Sequence, residues 1–237
     1  MMTWRDPLAG QLWESREQAR AVPAEATGLG LPLERATAIA EELYDRERGL
    51  SPQIGWKLGA TDSETQQRLG TDGPFHAPLF ARTRLAPGAV ISMARFLSPR
   101  VEAEIAVEVD GTRRYTRPCV EIIDCRFPSW PTRLADAIAD FGLHAAVLFA
   151  DDHADAPAAD VRVCRDRNEL ARGTRTIGEA LDAVSALAPR LDGGLAVDGA
   201  RSVIIATGSV TPPVPLAPGR WTISFGRLGV LAFEVVP

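Results

Sequence analysis

The chain has 237 residues, of which 46% are hydrophobic and 24% are charged, so it is long enough to fold around one sizeable core. Its formal net charge of −5 supplies no dense positive field, which argues against a surface for nucleic acid or anionic membrane. The N-terminal sequence lacks a basic region followed by an apolar core, and no apolar run is long enough to span a membrane, so we expect a cytoplasmic protein.

Two helices are predicted before the first strand. Apolar residues recur at helical spacing over about residues 4–22, and a second helix is predicted over residues 33–48. Because both helices precede the first strand signal, they are interpreted as an N-terminal cap or an oligomer contact. The chain is therefore divided into an N-terminal helical segment, residues 1–52, and a larger domain, residues 53–237.

The next segment contains the only lysine of the chain, placed where a strand meets a turn. Lys57 lies on a predicted strand over residues 54–58, and Thr61 with Glu64 has the T-x-x-E spacing of a helix capping box. Burial beside Trp56 would lower the pKa of the lysine and make it an acid/base group near neutral pH. The alternative is a surface lysine whose stem packs against Trp56.

Proline and glycine then favour a loop over residues 71–84, and the loop contains His76. A lone histidine in such a loop is more often a packed or solvent-facing ring than a ligand. Further along the chain, Thr132 is the predicted N-cap of a short helix. Thr176 and Glu179 form a second predicted capping box, which starts a longer helix.

A predicted strand over residues 99–108 organises the rest of the chain. Its apolar residues alternate with acidic ones, the period-2 pattern of a half-buried strand. Side chains two apart share a face at about 7 Å, so Glu102 and Glu104 can reach one ion from the same side. The next apolar run supplies Glu121 and Asp124 from a neighbouring strand, although alternation turns Asp124 to the opposite face.

Carboxylates without a nearby histidine or cysteine suit a hard divalent cation, Mg²⁺ or Mn²⁺. The alternative is that these glutamates are the solvated face of an ordinary antiparallel strand. A second candidate region follows a strand over residues 203–206, where Thr207, Gly208 and Ser209 form a predicted loop. Its free backbone N–H groups could receive an anionic group, and the alternative is a simple tight turn.

Five segments, taken in order, carry a resemblance to a known family: GWKLGAT, SPRVEAEIAVEV, CVEIIDCRF, DAIAD and IIATGSV with the strands that follow it. Together they resemble the 2-keto-4-pentenoate hydratase group of the fumarylacetoacetate hydrolase superfamily, with its oxoheptenedioate hydratases and 4-oxalocrotonate decarboxylases. The resemblance implies an α+β fold, a mixed β-roll with N-terminal and flanking helices, usually assembled into homo-oligomers. Residues 53–237 would be its catalytic domain.

The resemblance also implies roles for individual residues. Glu102, Glu104 and Glu121 would bind Mg²⁺ or Mn²⁺, Lys57 would be the acid/base, and residues 207–209 would belong to the substrate-carboxylate pocket. The expected function is a hydratase-like lyase that acts on a small-molecule 2-oxo acid, of the 2-hydroxydienoate type, through a metal-bound enolate. The alternatives are a decarboxylase, C–C bond hydrolase or tautomerase with the same enolate chemistry, or a catalytically silent homologue.

The chain departs from the family in the residues around this set. Hydratases of the family carry P-D-Y/F-G where this chain has PFHAP, so Phe75 replaces the usual acid and His76 becomes a candidate catalytic substitute. After IAD, Phe141 and Leu143 replace an asparagine and a small polar residue. We therefore expect Phe75 to contact a substrate that is larger or more apolar than the usual dienoate, such as another 2-oxo acid or a β-dicarbonyl compound.

Overall fold

The computed structural model describes residues 4–23 and 30–237, so residues 1–3 and 24–29 of the predicted N-terminal segment lie outside the described residues. The helices of the described residues are α1 (Pro7–Gln18), α2 (Leu33–Arg48), α3 (Ser63–Leu69), α4 (Leu134–Ala139) and α5 (Ile177–Leu187). The strands are β1 (Gln53–Gly59), β2 (Phe75–Phe80), β3 (Arg84–Leu85), β4 (Val90–Ser92), β5 (Arg100–Asp110), β6 (Arg113–Ile123), β7 (His144–Phe149), β8 (Ala158–Arg165), β9 (Asn168–Thr176), β10 (Val203–Ser209), β11 (Val214–Pro215), β12 (Gly219–Ser224) and β13 (Val230–Val236).

These strands form two mixed sheets. The larger sheet has the order β2-β1-β10-β5-β6-β7-β3, with β11 paired to the start of β5. The smaller sheet has the order β4-β13-β12-β8-β9. The pairs β1–β10, β3–β7 and β4–β13 are parallel and the others are antiparallel. This architecture confirms the predicted mixed β-roll with helices at its N-terminus and on its flanks.

The larger sheet is strongly curled. Leu79 on β2 and Phe149 on β7 belong to one buried cluster with Ala106 and Cys119 of the central strands. This cluster runs from strand to strand along one face of the sheet. On the same face Lys57 of β1 meets Glu121 of β6, with Nζ 3.2 Å from Oε2, although β10 and β5 lie between their strands. This face is therefore the concave one, and it is called the roll interior.

Two other clusters pack against the roll. Val101 and Ile105 of β5 share a core with Trp221 and Phe233 of the smaller sheet and with Val184 of α5. The helices α1 and α2 share a second core with side chains from residues 77–141, so they pack onto the larger domain. The division of the chain at residue 52 stays a prediction. In the described part of the chain, no helix is both long and apolar enough to cross a membrane.

The predicted loop over residues 71–84 is wrong, because residues 75–80 form strand β2. Proline disfavours a strand because it has no backbone N–H. However, β2 is an edge strand of the larger sheet, where a missing N–H is tolerated. Pro78 pairs with Trp56 of β1 in the part of the ladder that is regular, from Gly55 to Gly59, and the register shifts only between Gln53 and Gly55. The strand fixes where Phe75 and His76 point.

Two predicted N-caps are also wrong, each by one residue. Helix α3 is capped by Asp62 rather than Thr61, since the Asp62 carboxylate accepts a hydrogen bond from the Thr65 N–H at 2.8 Å. Helix α4 follows Arg133 rather than Thr132, and no side chain caps its N-terminus. The predicted bounds of α2 are confirmed. The reciprocal capping box that starts α5 is confirmed as well.

Candidate metal centre and active site

Three glutamates meet in the roll interior on the paired strands β5 and β6. Glu102 lies directly opposite Glu121 in the ladder, and one carboxylate oxygen from each of Glu102, Glu104 and Glu121 lies within 4.8 Å of the others. Glu104 and Glu121 are fully buried, and Glu102 is partly exposed. The prediction of a half-buried strand is wrong over residues 103–107, which are buried on both faces because the sheet curls over them.

One oxygen of this cluster has no partner. Glu104 Oε2 accepts a hydrogen bond from the Gly208 N–H at 2.9 Å, whereas Glu104 Oε1 is buried and unpartnered among the described residues. Buried ionised oxygens are costly unless a donor or a cation pairs with them. An all-oxygen donor set of three carboxylates fits a hard divalent cation such as Mg²⁺ or Mn²⁺.

Crowding also shifts the acidity of the three carboxyl groups. Burial and the neighbouring Glu121 raise the pKa of Glu102 to about 7, against the pull of Lys57. Burial and the two neighbouring glutamates raise the pKa of Glu104 well above its ordinary range. Burial opposes ionisation of Glu121 too, but Lys57 and His144 outweigh it and lower the pKa of Glu121. The positive charge of Lys57 at the cluster thus favours the ionised form of one carboxyl group, that of Glu121.

Lys57 points from β1 into the same interior. Its Nζ lies 3.2 Å from Glu121 Oε2, and its side chain is 3% exposed. In the sheet order β10 and β5 separate β1 from β6, so a flat sheet would hold the two backbones about 14 Å apart. The predicted lowering of the lysine pKa is wrong: burial lowers it, but Glu121, Glu102 and Glu104 together outweigh burial and the pKa of Lys57 is raised.

Phe75 and His76 point to opposite faces of β2. The Phe75 ring lies 5.5 Å from Lys57 Nζ and lines the pocket beside it. The His76 ring instead packs edge-on against Trp56, with ring centroids 5.8 Å apart. Burial and Arg190 lower the pKa of His76. The structure therefore does not bring the His76 side chain to the glutamates, and His76 is not part of the proposed catalytic set.

Residues 207–209 form a β-bulge in β10 rather than the predicted loop. The register of β10 on β5 shifts between Ala206 and Ser209. Gly208 occupies the left-handed region with φ of +95°, and a Cβ there would lie 2.2 Å from Thr61 Oγ1. Only glycine fits this backbone, which turns the Gly208 N–H toward Glu104.

The side chains that flank Gly208 differ in direction. The Thr207 hydroxyl is fully buried and donates to Ile105 O at 2.7 Å, so it is occupied within the sheet. Ser209 lines the pocket, and its hydroxyl donates to Thr211 O at 2.6 Å. Of the three predicted substrate-binding residues, Ser209 and the Gly208 backbone lie at the site and the Thr207 side chain does not.

A narrow cleft of about 60 Å³ leads to Lys57 and Glu102. Its walls combine apolar side chains with two arginines that the sequence reasoning missed, Arg68 and Arg100. The Arg100 guanidinium lies 4.2 Å above the Trp130 ring. Strand alternation could have found Arg100, since it is two residues before Glu102 and shares its face. The apolar lining residues include Phe75, Ile123, Trp130 and Leu143.

Two further buried side chains, Asp124 and His144, are held by hydrogen bonds within the protein. The Asp124 carboxylate accepts hydrogen bonds from the N–H groups of Leu97 and Ser98, so it is a structural cap and no ligand of the cluster. His144, which the sequence reasoning missed, lies with its Nδ1 2.7 Å from Glu121 Oε1. Burial lowers the pKa of His144 to about 4, although Glu121 opposes this.

Comparison with known proteins finds relatives that align over most of the chain. No family model matches the chain. The chain is 27% identical to a 2-keto-4-pentenoate hydratase of Burkholderia vietnamiensis over 248 aligned positions, which cover 94% of each chain. It is also 27% identical to a 4-oxalocrotonate decarboxylase of Pseudomonas putida, over 80% of each chain. The chain is thus similar over most of its length to 2-keto-4-pentenoate hydratases and 4-oxalocrotonate decarboxylases, the group that its sequence segments resemble.

A structural comparison points the same way as these relatives. A solved structure of 4-oxalocrotonate decarboxylase from Pseudomonas putida G7, complexed with magnesium and adipate, shares the fold. Its TM-score is 0.84 at 20% identity, and the match covers 97% of this chain and 96% of that chain. The two proteins thus share one fold over nearly their whole length.

Proposed function

We propose that this protein is a divalent-metal-dependent lyase of the hydratase type, which acts on a 2-oxo acid of the 2-hydroxydienoate class through a metal-bound enolate. The observation that carries the proposal is the unpartnered, buried Glu104 Oε1 within a three-carboxylate cluster beside Lys57. The printed names of the relatives, hydratases and decarboxylases of 2-oxo acids, support the substrate class.

Glu102, Glu104 and Glu121 would hold Mg²⁺ or Mn²⁺ with one oxygen each. The ion, when bound, would supply Lewis-acid stabilisation of the substrate enolate. The Gly208 N–H keeps Glu104 Oε2 occupied, which leaves Oε1 as the oxygen free for the ion. The bulge in β10 therefore contributes to the ligand geometry even though its side chains stay out of the cluster.

Lys57 would move the proton between substrate carbon and its own Nζ. It is the cationic side chain that reaches the cluster from the opposite wall of the roll, and it lies within 3.2 Å of a ligand oxygen. The Phe75 ring beside Nζ excludes water from that side of the pocket. Arg68 and Arg100 at the cleft would favour an anionic substrate over a neutral one.

A specific observation favours decarboxylation as the second candidate. Hydration needs a group that positions water, and β2 presents Phe75 to Lys57 while His76 faces Trp56. Decarboxylation breaks a C–C bond, releases CO₂ and leaves the electron pair on the same enolate, which needs only a proton. The retained residues serve both reactions, and products distinguish them.

The test is proton exchange at C3 of 2-oxopentanoate in D₂O, followed by NMR with purified protein and Mg²⁺. We expect loss of the C3 proton signal that disappears after EDTA treatment and in Lys57→Ala. Such exchange would establish that the protein enolises a 2-oxo acid, whatever its natural substrate is. Dienoates and oxalocrotonate-like acids would then be tested as substrates. Absence of exchange and of metal binding together would identify a catalytically silent homologue.

We also propose that the protein assembles into homo-oligomers, as the resemblance to its superfamily implies. Helices α1 and α2 would be part of the contact. Light scattering of the purified chain coupled to size exclusion measures this directly, and a monomer at micromolar concentration would contradict it.

A further inference from the structure

Both oxygens of Glu121 are held by protein groups, and one of these groups is a histidine. Oε2 lies 3.2 Å from Lys57 Nζ, and Oε1 lies 2.7 Å from His144 Nδ1. We propose that His144 is the positioning residue of Glu121, fixing the rotation of its carboxylate so that it faces Glu102 and Glu104. The inference rests on the proposed role of Glu121 as a metal ligand.

The hydrogen bonds of the His144 ring give its orientation. An ionised carboxylate oxygen only accepts, so the ring N–H that faces Glu121 is on Nδ1. The other ring nitrogen, Nε2, then carries no proton and accepts a hydrogen bond from the hydroxyl of the buried Thr83, whose Oγ1 lies 2.8 Å away. A ring held at both nitrogens cannot rotate without breaking two buried hydrogen bonds. Thr83 therefore fixes the orientation of the ring, and the ring fixes the rotation of the Glu121 carboxylate.

A β-bulge is what turns His144 toward the interior. Ile122 pairs with Ala146, but Ile123 pairs with His144, so Ala145 is the extra residue of β7. In a regular ladder Ile123 would pair with Ala145, and His144 would point to the opposite face of the sheet. The bulge moves the imidazole to the face of Glu121, a known use of bulges beside active sites.

The backbone of His144 is anchored from two directions. Arg16 of α1 and the buried Arg126 both donate to His144 O, at 2.6 and 2.8 Å. Arg126 also forms a buried ion pair with Asp140, where Arg126 Nε and Asp140 Oδ1 are 2.8 Å apart. Charge-assisted hydrogen bonds of this kind are stronger than neutral ones, so the position of the residue is over-determined.

The chain before His144 is strained in a way that this anchoring explains. Phe141, Gly142 and Leu143 are three consecutive residues in the left-handed region, with φ of 56°, 62° and 63°. Two of them carry side chains, and residues with side chains adopt this region only where the surrounding structure holds them there. The turn places the Phe141 side chain in the core that α1 and α2 share and the Leu143 side chain at the cleft. It also places His144 at the start of β7.

The test is the affinity of the full chain for Mn²⁺, measured by electron paramagnetic resonance of free and bound ion. We expect His144→Leu to weaken the affinity by about 10- to 100-fold, the usual effect of removing an outer-shell partner. His144→Asn should retain most of the affinity, because its amide N–H can replace Nδ1–H. His76→Leu, at the histidine that faces Trp56, is the matched control and should bind like wild type.

A merely structural role would lower the thermal midpoint of the metal-free variants and leave their Mn²⁺ affinity unchanged. Equal affinity of wild type and folded His144→Leu would therefore overturn the positioning role while leaving the metal site intact. If wild type itself bound no Mn²⁺, the proposed function would fail first and the inference with it.

A second pair of variants decides the matter if His144→Leu does not fold. Thr83→Val removes the hydroxyl that holds Nε2, whereas Thr83→Ser keeps it. Weaker Mn²⁺ binding in Thr83→Val than in Thr83→Ser would support the relay from Thr83 through His144 to Glu121. Equal binding in the two would overturn it.

Discussion

The floor and the wall of the candidate site are built in different ways. The floor, defined as Glu102, Glu104 and Glu121, stands on two long strands in regular register. The wall, defined as Phe75 and residues 141–143, comes from an edge strand with a proline and from a left-handed turn. The contrast teaches that the proposed metal ligands stand on a regular ladder, whereas the side of the pocket that would face the substrate is built from irregular backbone.

The largest expected effect separates proton transfer from metal binding on the floor. Lys57→Met should reduce C3 proton exchange in 2-oxopentanoate by about 10²- to 10⁴-fold, the usual contribution of a positioned acid/base group. Affinity for Mn²⁺ should be retained, since Nζ no longer competes for Glu121 Oε2. NMR exchange rates and calorimetry measure the two effects, and undiminished exchange would refute the role of the lysine.

Glu104→Gln tests the floor itself. The amide oxygen can still accept from Gly208, but one charged ligand is lost, so Mn²⁺ affinity should fall by more than about 100-fold, beyond the effect of an outer-shell change. The metal-free protein should melt at a higher temperature, because a buried carboxylate has been removed. Calorimetry and thermal unfolding measure these opposite changes.

Glu108→Gln is the matched control for that substitution, on the same strand. Glu108 pairs with Arg117 and accepts from the Ser202 hydroxyl, away from the three-glutamate cluster. Its Mn²⁺ affinity should stay within about twofold of wild type. A loss equal to that of Glu104→Gln would mean that general charge, rather than ligation, determines binding.

Gly208→Ala tests the bulge in β10, whose backbone N–H donates to Glu104 of the floor. The substitution strains a backbone at φ of +95° and drives a methyl group into Thr61, so the free energy of unfolding should fall by about 1–3 kcal/mol. Gly111→Ala is the control, at φ of +57° with no neighbouring atom within 4 Å, and should cost less. Urea unfolding compares them, and equal losses would assign the whole effect to backbone strain.

Phe75→Asp tests the wall and carries the smallest expected effect. A carboxylate beside Lys57 would hold water where the phenyl ring excludes it, so the ratio of hydrated to decarboxylated product should rise by about tenfold. Product NMR with dienoate and oxalocrotonate-like acids measures the ratio. Phe75→Leu keeps the wall apolar and should leave the ratio unchanged, and the same ratio in both variants would contradict this assignment.

The floor is predictable from sequence because its determinants are local. Alternation along β5 puts Glu102 and Glu104 on one face, and the hairpin places Glu121 opposite Glu102. The same local rules give the bounds of α2 and the capping box of α5. Each of these features depends on residues a few positions apart or on a directly paired neighbour.

The other features of the site depend on how the whole sheet is arranged, which the alternation of residues along one strand does not determine. The curl that carries Lys57 to Glu121 is a property of the whole sheet, and it reverses the pKa shift that burial alone predicts. One extra residue in β7 decides the face to which His144 points. Edge position decides that Pro78 lies within a strand. Local pattern therefore gives the ligands, and tertiary structure gives their partners.

The most direct test of the central claim is anomalous diffraction at the manganese edge from crystals of the full chain grown with Mn²⁺. The structure predicts one strong peak per chain at bonding distance from carboxylate oxygens of Glu102, Glu104 and Glu121, and none in Glu104→Gln crystals. A wild-type map without a peak at the three glutamates, or with the ion bound elsewhere, would contradict the proposed metal centre.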